Sequence, residues 1–375
     1  MTRPLSVCYF GAYRPEYPRN LTIRKALALA GVPVTECRVP PKWPSWRRWP
    51  TLTAQFFSQF TARSAQVIIV AEFCHTVVPL AWALSRLNGA ALIFDPGLSF
   101  YDEMILRQHA APENSLRARY FRSVDAIAFH LADLVVWFTP VDEEYFGREY
   151  GIAPHRSAWL PPGVDETLFG YSPALDFDSL FVVHWDGSFI PSHGVDVILE
   201  AANLLRDHTN IRFELVGNGP MAEAMRAKAE SLKLTNAAFL GTVSARELSD
   251  SVRRAHVCLG AFRADDKGRR SLFTKELQAM LAGRALITAE GEAKRQVFDA
   301  DRDLWLIPPD DPSALADAIL TLQADSARRR SLGECGHAAA QKLCGLEASR
   351  MRLMEIIERA LIERHGIRQK HPGRL

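Results

Sequence analysis

DDKGRRSLFTKELQAMLAG, residues 265–283, joins a basic, polar segment that is predicted to be a loop to a short predicted helix. An apolar stripe at helical spacing follows Thr274, whose hydroxyl is expected to cap the helix, and Gly283 supplies a left-handed stop. Apolar runs at 257–262 and 285–288 predict buried strands on either side. The stretch therefore reads as a βαβ unit of a parallel sheet.

Lys275 lies in the first turn of this predicted helix. Free backbone N–H groups, the positive end of the helix dipole and the ammonium would converge there, which is an arrangement that binds diphosphates. Sites in βαβ units gather at the carboxyl ends of strands, where Lys275 is expected. The alternative is a solvent-exposed lysine, the usual state of an isolated charged residue.

Length and composition indicate a soluble protein of two domains. The chain has 375 residues, with 48% apolar and 23% charged residues and a formal net charge of +2. A chain of this length exceeds one ordinary core, and its composition is not that of a disordered chain. The small net charge gives no reason to expect a nucleic-acid partner.

Cysteine usage and hydropathy indicate a cytoplasmic protein. The six cysteines include no C-x-x-C pair, and several lie in apolar runs. The first apolar run, 5–10, is too short for a signal-peptide core, and no stretch approaches the roughly 20 residues of a spanning helix. The eleven histidines are scattered, so no metal site is expected.

Strand and helix signals alternate along the chain in two series. Near-continuous apolar strands alternating with helices predict parallel sheets covered on both faces. A proline-rich segment without periodicity, 161–178, is the predicted linker. The predicted domains are 1–170 and 171–350, followed by a C-terminal helix and tail (351–375) that can cross back to the first domain. Residues 366–375 are expected to fray.

Two glycine-bounded loops accompany the basic segment in the second series. GSFIPSHG (187–194) and GNGP (217–220) each follow a predicted strand. The second loosely matches a dinucleotide fingerprint, but no acidic residue ends the next strand (237–243), so we reject a nicotinamide site. Each loop alone is equally well a tight turn without a ligand. Together with 265–275 they predict one ligand cleft.

Two features of the first half each allow two interpretations. Asp95 ends a predicted strand near the loop 11–20, and both are expected to face the cleft, although an aspartate in this position can equally cap the next helix. KWPSWRRW (42–49) combines three tryptophans with three cations, which is typical of membrane-interface segments. The alternative is a loop whose tryptophans cover the local core.

The second domain resembles the donor-binding domain of retaining glycosyltransferase family 4, which has the GT-B architecture. The resemblance rests on GSFIPSHGVDVILEAANLL, FELVGNGP, AAFLGTVSARELSDSVRRAHVCLGAF, TKELQAMLAGRALIT and LIPPDDPSALADAI, and more faintly on YFGAYRPEYPRN, EFCHTVVPLAWALSRLNG, FDPGLSFYDE and LPPGVDETLFG. It implies an α/β fold with two Rossmann-like parallel domains facing each other across a cleft.

The resemblance also implies the site residues. The 187–194 loop would border the donor diphosphate, the GNGP glycines would lie near the nucleotide, and Lys275 with the 271–275 backbone would approach the phosphates. With the candidates from the sequence itself, the catalytic residues are expected to be Asp95, Arg270 and Lys275, and the donor-binding residues Gly11, Gly187, Ser188, His193, Gly194, Gly217, Gly219, Lys267, Arg269, Ser271, Thr274 and Gln278.

Five positions depart from the family pattern. Ser188 and His193 stand where the family usually has Arg and Lys, and Gln278 and Arg270 replace its two carboxylates. Asp95 stands where many members have a histidine. A glutamine can still bind a ribose hydroxyl, but without charge assistance, so donor affinity is expected to fall by about 1 kcal/mol.

The function implied is retaining transfer of a sugar from a UDP- or GDP-sugar to a saccharide or lipid-linked acceptor, without a cofactor. Cations at 267–270 would replace those missing from the diphosphate loop. Peripheral contact with the inner membrane face is expected from 42–49. The missing family residues motivate one alternative, a non-catalytic GT-B subunit that supports a partner glycosyltransferase. A weaker alternative is a sugar-nucleotide epimerase of the same architecture.

Overall fold

The computed structural model describes residues 5–60, 65–108, 110–173 and 179–366. The chain forms two compact units. One runs to Gly163 and resumes at Leu346, and the other spans Val164–Gly345. The predicted tail at 366–375 lies, except for Gly366, outside the described residues, as does part of the predicted linker.

Each unit contains a parallel sheet of six strands, which confirms the predicted α/β class of two parallel domains. The strand orders are β2-β1-β3-β4-β5-β6 and β12-β11-β10-β7-β8-β9. The strands are β1 (Val7–Gly11), β2 (Val34–Arg38), β3 (Val67–Val70), β4 (Ala91–Phe94), β5 (Leu134–Trp137), β6 (Ser157–Trp159), β7 (Phe181–Asp186), β8 (Ile211–Val216), β9 (Ala237–Gly241), β10 (Val257–Leu259), β11 (Ala285–Ala289) and β12 (Trp305–Ile307).

Helices connect the strands, because parallel neighbours need crossover connections. Every residue of β1, β3, β4 and β5 is buried, as expected for parallel strands covered on both faces. The α-helices are α1 (Pro18–Leu29), α2 (Ser45–Gln59), α3 (Val78–Asn88), α4 (Leu116–Leu131), α5 (Pro140–Tyr150), α6 (Glu166–Phe169), α7 (Val195–Leu204), α8 (Ala222–Ser231), α9 (Ala245–Arg254), α10 (Asp266–Arg270), α11 (Thr274–Leu281), α12 (Glu292–Val297), α13 (Pro312–Ala324), α14 (Ser326–Cys344) and α15 (Leu346–His365).

The last helix, α15, belongs to the first unit. Leu353, Ile356, Ile357 and Ala360 are buried in the same apolar cluster as β1 and β4. Residues that lie three or four apart share one face of a helix, so these four form the stripe that seals the sheet. The first unit therefore takes its core from both ends of its sequence.

Two local predictions were wrong, and one alternative is excluded. The basic segment was expected to be a loop, but it contains α10, whose first turn is capped by the Asp265 side chain. Thr274 does not cap α11, because Phe273 holds the N-cap position and Thr274 is the first helical residue. The 42–49 segment is not a loop, since α2 begins at Ser45 within it. The expected left-handed stop at Gly283 is confirmed, with φ of +75°.

None of the helices in the described ranges is long and apolar enough to span a bilayer. Within the same ranges, no cluster of three or more His, Cys, Asp or Glu side chains is arranged to bind a metal ion.

Ile357→Ala should destabilise the first unit selectively. Ile357 is fully buried under the sheet, and loss of such a side chain costs about 2–5 kcal/mol. Hydrogen–deuterium exchange should rise in β1, β3 and β4 and remain unchanged in β7 and β8. Met351→Ala, on the exposed face of α15, is the control. Equal acceleration in both units would contradict the assignment of α15 to the first.

Candidate functional site

Glycines bring two strand ends of the second unit into backbone contact. Gly187 follows β7 and Gly217 follows β8, with φ of +147° and +127°. A Cβ atom at Gly217 would lie 1.9 Å from the Gly187 carbonyl oxygen, so no other residue fits there. The contact continues along the loops, because a Cβ atom at Gly219 would lie 2.6 Å from the Phe189 nitrogen. The two predicted loops therefore meet.

The Lys275 side chain lies against Gly187. It is 7% exposed, and a Cβ atom at Gly187 would lie 2.5 Å from its Nζ. The ammonium sits 4.2 Å from the centroid of the Trp185 ring, a cation–π distance. Among the described residues it forms no ion pair with a carboxylate. The solvent-exposed alternative for this lysine is therefore excluded by its burial.

Burial changes the ionisation of Lys275. Removal from water lowers the pKa of its ammonium to about 8, while the charges of Asp186 and Glu276 oppose the shift. A buried cation without a paired anion is unfavourable, and an anion that entered the site would relieve that penalty. The electrostatics of the site thus favour an anionic ligand.

His193 is held by the loop that contains it. Its Nδ1 lies 2.6 Å from the Ser188 carbonyl oxygen, which can only accept, so Nδ1 carries the proton and donates. The 3.3 Å approach of Lys275 Nζ to the same nitrogen is then a contact rather than a hydrogen bond. Ser188 itself is exposed. Gly194 has φ of +64°, and a Cβ atom there would lie 3.0 Å from the Arg263 nitrogen. The loop therefore packs closely on the segment that follows β10.

A buried carboxylate fixes the amino end of α11, and the sequence analysis missed it. Glu276 Oε2 accepts from the Phe273 backbone N–H at 3.0 Å, and Oε1 accepts from the Thr288 hydroxyl at 2.6 Å. Lys294 Nζ lies 3.6 Å from Oε1. The signal was available, because a glutamate three residues after the helix cap reaches back to the cap. This network fixes where α11 begins, and therefore the position of Lys275 in its first turn.

The arginines of α10 already have carboxylate partners. Arg269 donates to Asp266 and to Glu292, and Arg270, 2% exposed, donates from Nε to Asp266 at 2.8 Å. Lys267 is half-buried on the same helix. The charges expected to replace the missing cations are therefore partly neutralised by neighbours.

Gln278 lies one turn after Lys275 on α11 and is 8% exposed. Thr274 is the first residue of α11 and Ser271 follows α10, and both are half-buried. The structure thus brings Gly187, Gly217, His193 and Lys275 together through a chain of contacts. Thr274 and Gln278 lie on α11, the helix that also carries Lys275.

Two predicted site residues belong to the first unit. Asp95 is 1% exposed and binds the Arg19 guanidinium through both oxygens, at 2.9 and 3.0 Å. Arg19 also donates to the carbonyls of Leu160 and Pro161, so the pair ties three segments together and gives Asp95 a structural partner. Gly11 has φ of +144°, and its Cβ would lie 2.8 Å from Cys74 Sγ.

Comparison with known proteins identifies similarity to glycosyltransferases. Residues 181–325 match the family "Glycosyl transferases group 1". The chain is 27% identical over 194 residues to a phosphatidyl-myo-inositol mannosyltransferase of Mycobacterium tuberculosis, covering 49% of each chain. It is 26% identical over 206 residues to an exopolysaccharide phosphotransferase of Streptomyces coelicolor, covering 55% of this chain and 21% of that protein. The chain thus spans half or less of the length of these relatives.

Solved structures show the same fold. A sucrose-phosphate synthase from Thermosynechococcus elongatus superposes with a TM-score of 0.73 at 18% identity, over 94% of this chain and 98% of that one. HepE from Anabaena, in complex with UDP and glucose, superposes with a TM-score of 0.69 at 16% identity, over the same shares. These matches confirm the predicted GT-B fold. The family match lies within the second unit.

Replacing Lys275 by methionine should stabilise the protein in the absence of ligand. The folded pKa of about 8 lies below the ordinary value of 10.5, so the unfolded chain binds the proton more tightly. The lysine therefore lowers stability below pH 8, by up to about 3 kcal/mol, and this penalty disappears as the pH rises from about 8 to 10.5. Melting temperatures of Lys275→Met and wild type should differ at neutral pH and converge near about pH 10.

The exposed Lys342 on α14 provides the matched control, since Lys342→Met should leave the melting temperature unchanged at both pH values. A lower melting temperature of Lys275→Met at neutral pH would contradict the unfavourable burial of the ammonium.

Proposed function

We propose that the protein is a retaining glycosyltransferase of family 4 that uses a UDP- or GDP-sugar as its donor. The buried ammonium of Lys275 carries the proposal: it lies beside Gly187, which packs on Gly217, and it has no carboxylate partner among the described residues. The group 1 glycosyltransferase match includes all three residues, and HepE, similar in fold, was solved with UDP and glucose.

The chemistry asked of such a site is mostly electrostatic. As the bond between sugar and phosphate breaks, negative charge collects on the leaving diphosphate. An ammonium held in a buried position stabilises the charge that develops in the transition state more than the smaller charge of the bound donor, so it lowers the barrier. In a retaining reaction the leaving phosphate can itself take the acceptor proton on the same face, so no protein nucleophile is required.

Gln278 is proposed to bind the nucleotide ribose. It lies on α11 one turn from Lys275 and is buried. A neutral amide offers one carbonyl oxygen to the ribose hydroxyls, whereas a carboxylate would offer two charged oxygens. Donor affinity is then set mainly by the diphosphate contacts.

A non-catalytic subunit is the second candidate function. Arg270 occupies a position where the family has a carboxylate, and its guanidinium is buried against Asp266. A chain that binds no nucleotide-sugar and forms a complex with an active glycosyltransferase would favour this candidate. Thermal-shift screening against UDP-, GDP-, ADP- and TDP-sugars separates the two, since a ligand that binds the folded state raises its melting temperature.

A membrane-bound acceptor is proposed from the exposed face of α2. Trp46 is 76% exposed, Phe57 is 58% exposed and Trp49 is 39% exposed. Trp46 and Phe57 are eleven residues apart, which is about three helical turns, so they lie on one line. Trp43, in contrast, packs on the core of the first unit. Tryptophans beside Arg47 and Lys42 suit an anionic bilayer surface, where a lipid-linked acceptor would be presented.

Lys275→Met should weaken the binding of UDP or GDP by about 1.5–3 kcal/mol, because a hydrogen bond to a charged group is lost. Wild-type affinity should also fall as the pH rises above about 8, since the pKa of Lys275 is lowered to about 8 by burial. Calorimetry in buffers of different ionisation enthalpy should detect proton uptake on binding near this pH. Lys342→Met is again the control, and equal affinities of wild type and Lys275→Met would refute the contact.

Replacing Trp46 and Trp49 together by serine should reduce flotation with vesicles of phosphatidylglycerol and phosphatidylcholine at low salt, by about tenfold or more, because two large apolar side chains no longer leave water. The variant should keep its melting temperature, since both rings are exposed. Leu87→Ser, at an exposed apolar position on α3, controls for nonspecific adsorption. Wild-type protein that does not float would remove the membrane proposal and favour a soluble acceptor.

A further inference from the structure

A cavity of about 200 Å³ lies wholly within the first unit, between helices. Its wall comes from the segment after β4, from α4 and from the second half of α5. Because β5 and β6 are parallel, α5 leads back from the carboxyl end of β5 to the amino end of β6. The α5 residues of the wall therefore lie on a helix face rather than at the ends of strands.

Aromatic rings form much of this wall. Four of the lining residues are aromatic, namely Tyr101, Tyr145, Phe146 and Tyr150. The Tyr145 ring meets the Phe146 ring edge to face at a centroid distance of 5.0 Å, and the Phe146 ring lies 6.3 Å from the Tyr150 ring. The faces of aromatic rings carry negative potential and attract cations.

One cation of the protein already lies against these rings. The Arg122 guanidinium carbon is 5.3 Å from the centroid of the Tyr101 ring and 5.8 Å from that of Tyr150, and both are cation–π distances. Arg122 also pairs with Glu149 at 3.2 Å, although both side chains are nearly half exposed. Exposed ion pairs contribute little to stability, so a ligand can displace this guanidinium at small cost.

Negative charge exceeds positive charge in the wall. Asp102, Glu113 and Glu149 supply three carboxylates, whereas Arg122 is the one cationic side chain among the lining residues. An excess of negative charge beside aromatic faces attracts a cation and repels an anion. Asp102 also begins a π-helical segment, Asp102–Arg107, a rare conformation that is frequent at functional sites.

A buried carboxylate fixes two of the rings in position. Asp125 is fully buried, and it accepts from the backbone N–H groups of Phe100 and Tyr101 at 2.9 Å each. It also accepts from the Ser99 hydroxyl at 2.7 Å and from the Tyr150 hydroxyl at 3.1 Å. Tyr101 and Tyr150 are thus held by one carboxylate before a ligand arrives, and such preorganisation reduces the entropy lost on binding.

We propose that this cavity binds a small organic cation, a protonated or quaternary amine. Its charged nitrogen packs on Tyr101 and Tyr150 in place of the Arg122 guanidinium, and the carboxylates of the rim balance its charge. Quaternary ammonium groups suit such a wall, because they carry their charge on C–H groups that contact ring faces. No residue of the donor site takes part, so the cavity can bind a cation whether or not the chain binds a nucleotide-sugar.

The test is a ligand-observed NMR titration of the full chain with tetramethylammonium, choline and butylammonium chlorides. Dimethylbutanol, in which carbon replaces the nitrogen of choline, is the uncharged probe. Choline should bind about tenfold more tightly than dimethylbutanol, because the alcohol lacks the cation–π attraction. Tyr101→Leu should weaken cation binding by about fivefold or more, since one ring face is lost. Arg122→Met should tighten it by a similar factor, because the internal competitor is removed.

Tyr120→Leu, at an exposed tyrosine of α4 outside the wall, is the matched control and should leave cation binding unchanged. Arg122 is nearly half exposed, so its replacement tests the site even if Tyr101→Leu lowers the melting temperature. Cation binding that increases in Arg122→Met, or that is detected only in this variant, supports the site. Absence of cation binding to both wild type and Arg122→Met, or equal binding of choline and dimethylbutanol, overturns it. Binding of sulfate that is lost in Arg122→Met overturns it as well, since the cavity would then select anions.

Discussion

The constraint on which the second unit depends is the burial of one ammonium group. Lys275 can occupy its position only because Gly187 has no side chain, and Gly187 can lie there only because Gly217 has none. The amino end of α11 is fixed in turn by Glu276 through Phe273. The glycine-rich loops, the helix start and the cation are therefore one arrangement, since changing any of them displaces the others.

Charge is handled in two ways within each unit. One buried group is fully satisfied: Asp95 by Arg19 in the first unit, and Glu276 by Thr288 in the second. Another has no ion-pair partner among the described residues, namely Glu72 in the first unit and Lys275 in the second. Satisfied pairs of this kind specify how segments meet, whereas unsatisfied groups lower stability and are retained where a ligand compensates for them. The contrast separates structural ionisable residues from candidate binding residues.

The fold was predictable because its signal is repeated along the whole chain. Apolar strands alternating with helices occur in two series, and no single error could change the class. The convergence of Gly187, Gly217 and Lys275 followed from the rule that parallel strands end at one edge.

The roles of Asp95 and Arg270 could not be predicted in the same way, because their partners Arg19 and Asp266 are chosen by tertiary packing. Glu72 gave no sequence signal, since an unpaired carboxylate is recognised only when its surroundings are known. The helix that begins within 42–49 was not predicted, because prolines interrupt the helical pattern: Pro44 lies at the N-cap of α2 and Pro50 lies inside it.

The return of α15 to the first unit has a consequence for synthesis on the ribosome. The second unit, Val164–Gly345, is continuous in sequence, so all of its strands are synthesised before α15. The first sheet must wait for residues 346–365 before Leu353 and Ile357 cover it. The first unit thus begins to be translated before the second but completes its core after it. Its sheet is the part of the nascent chain that exposes apolar surface for longest.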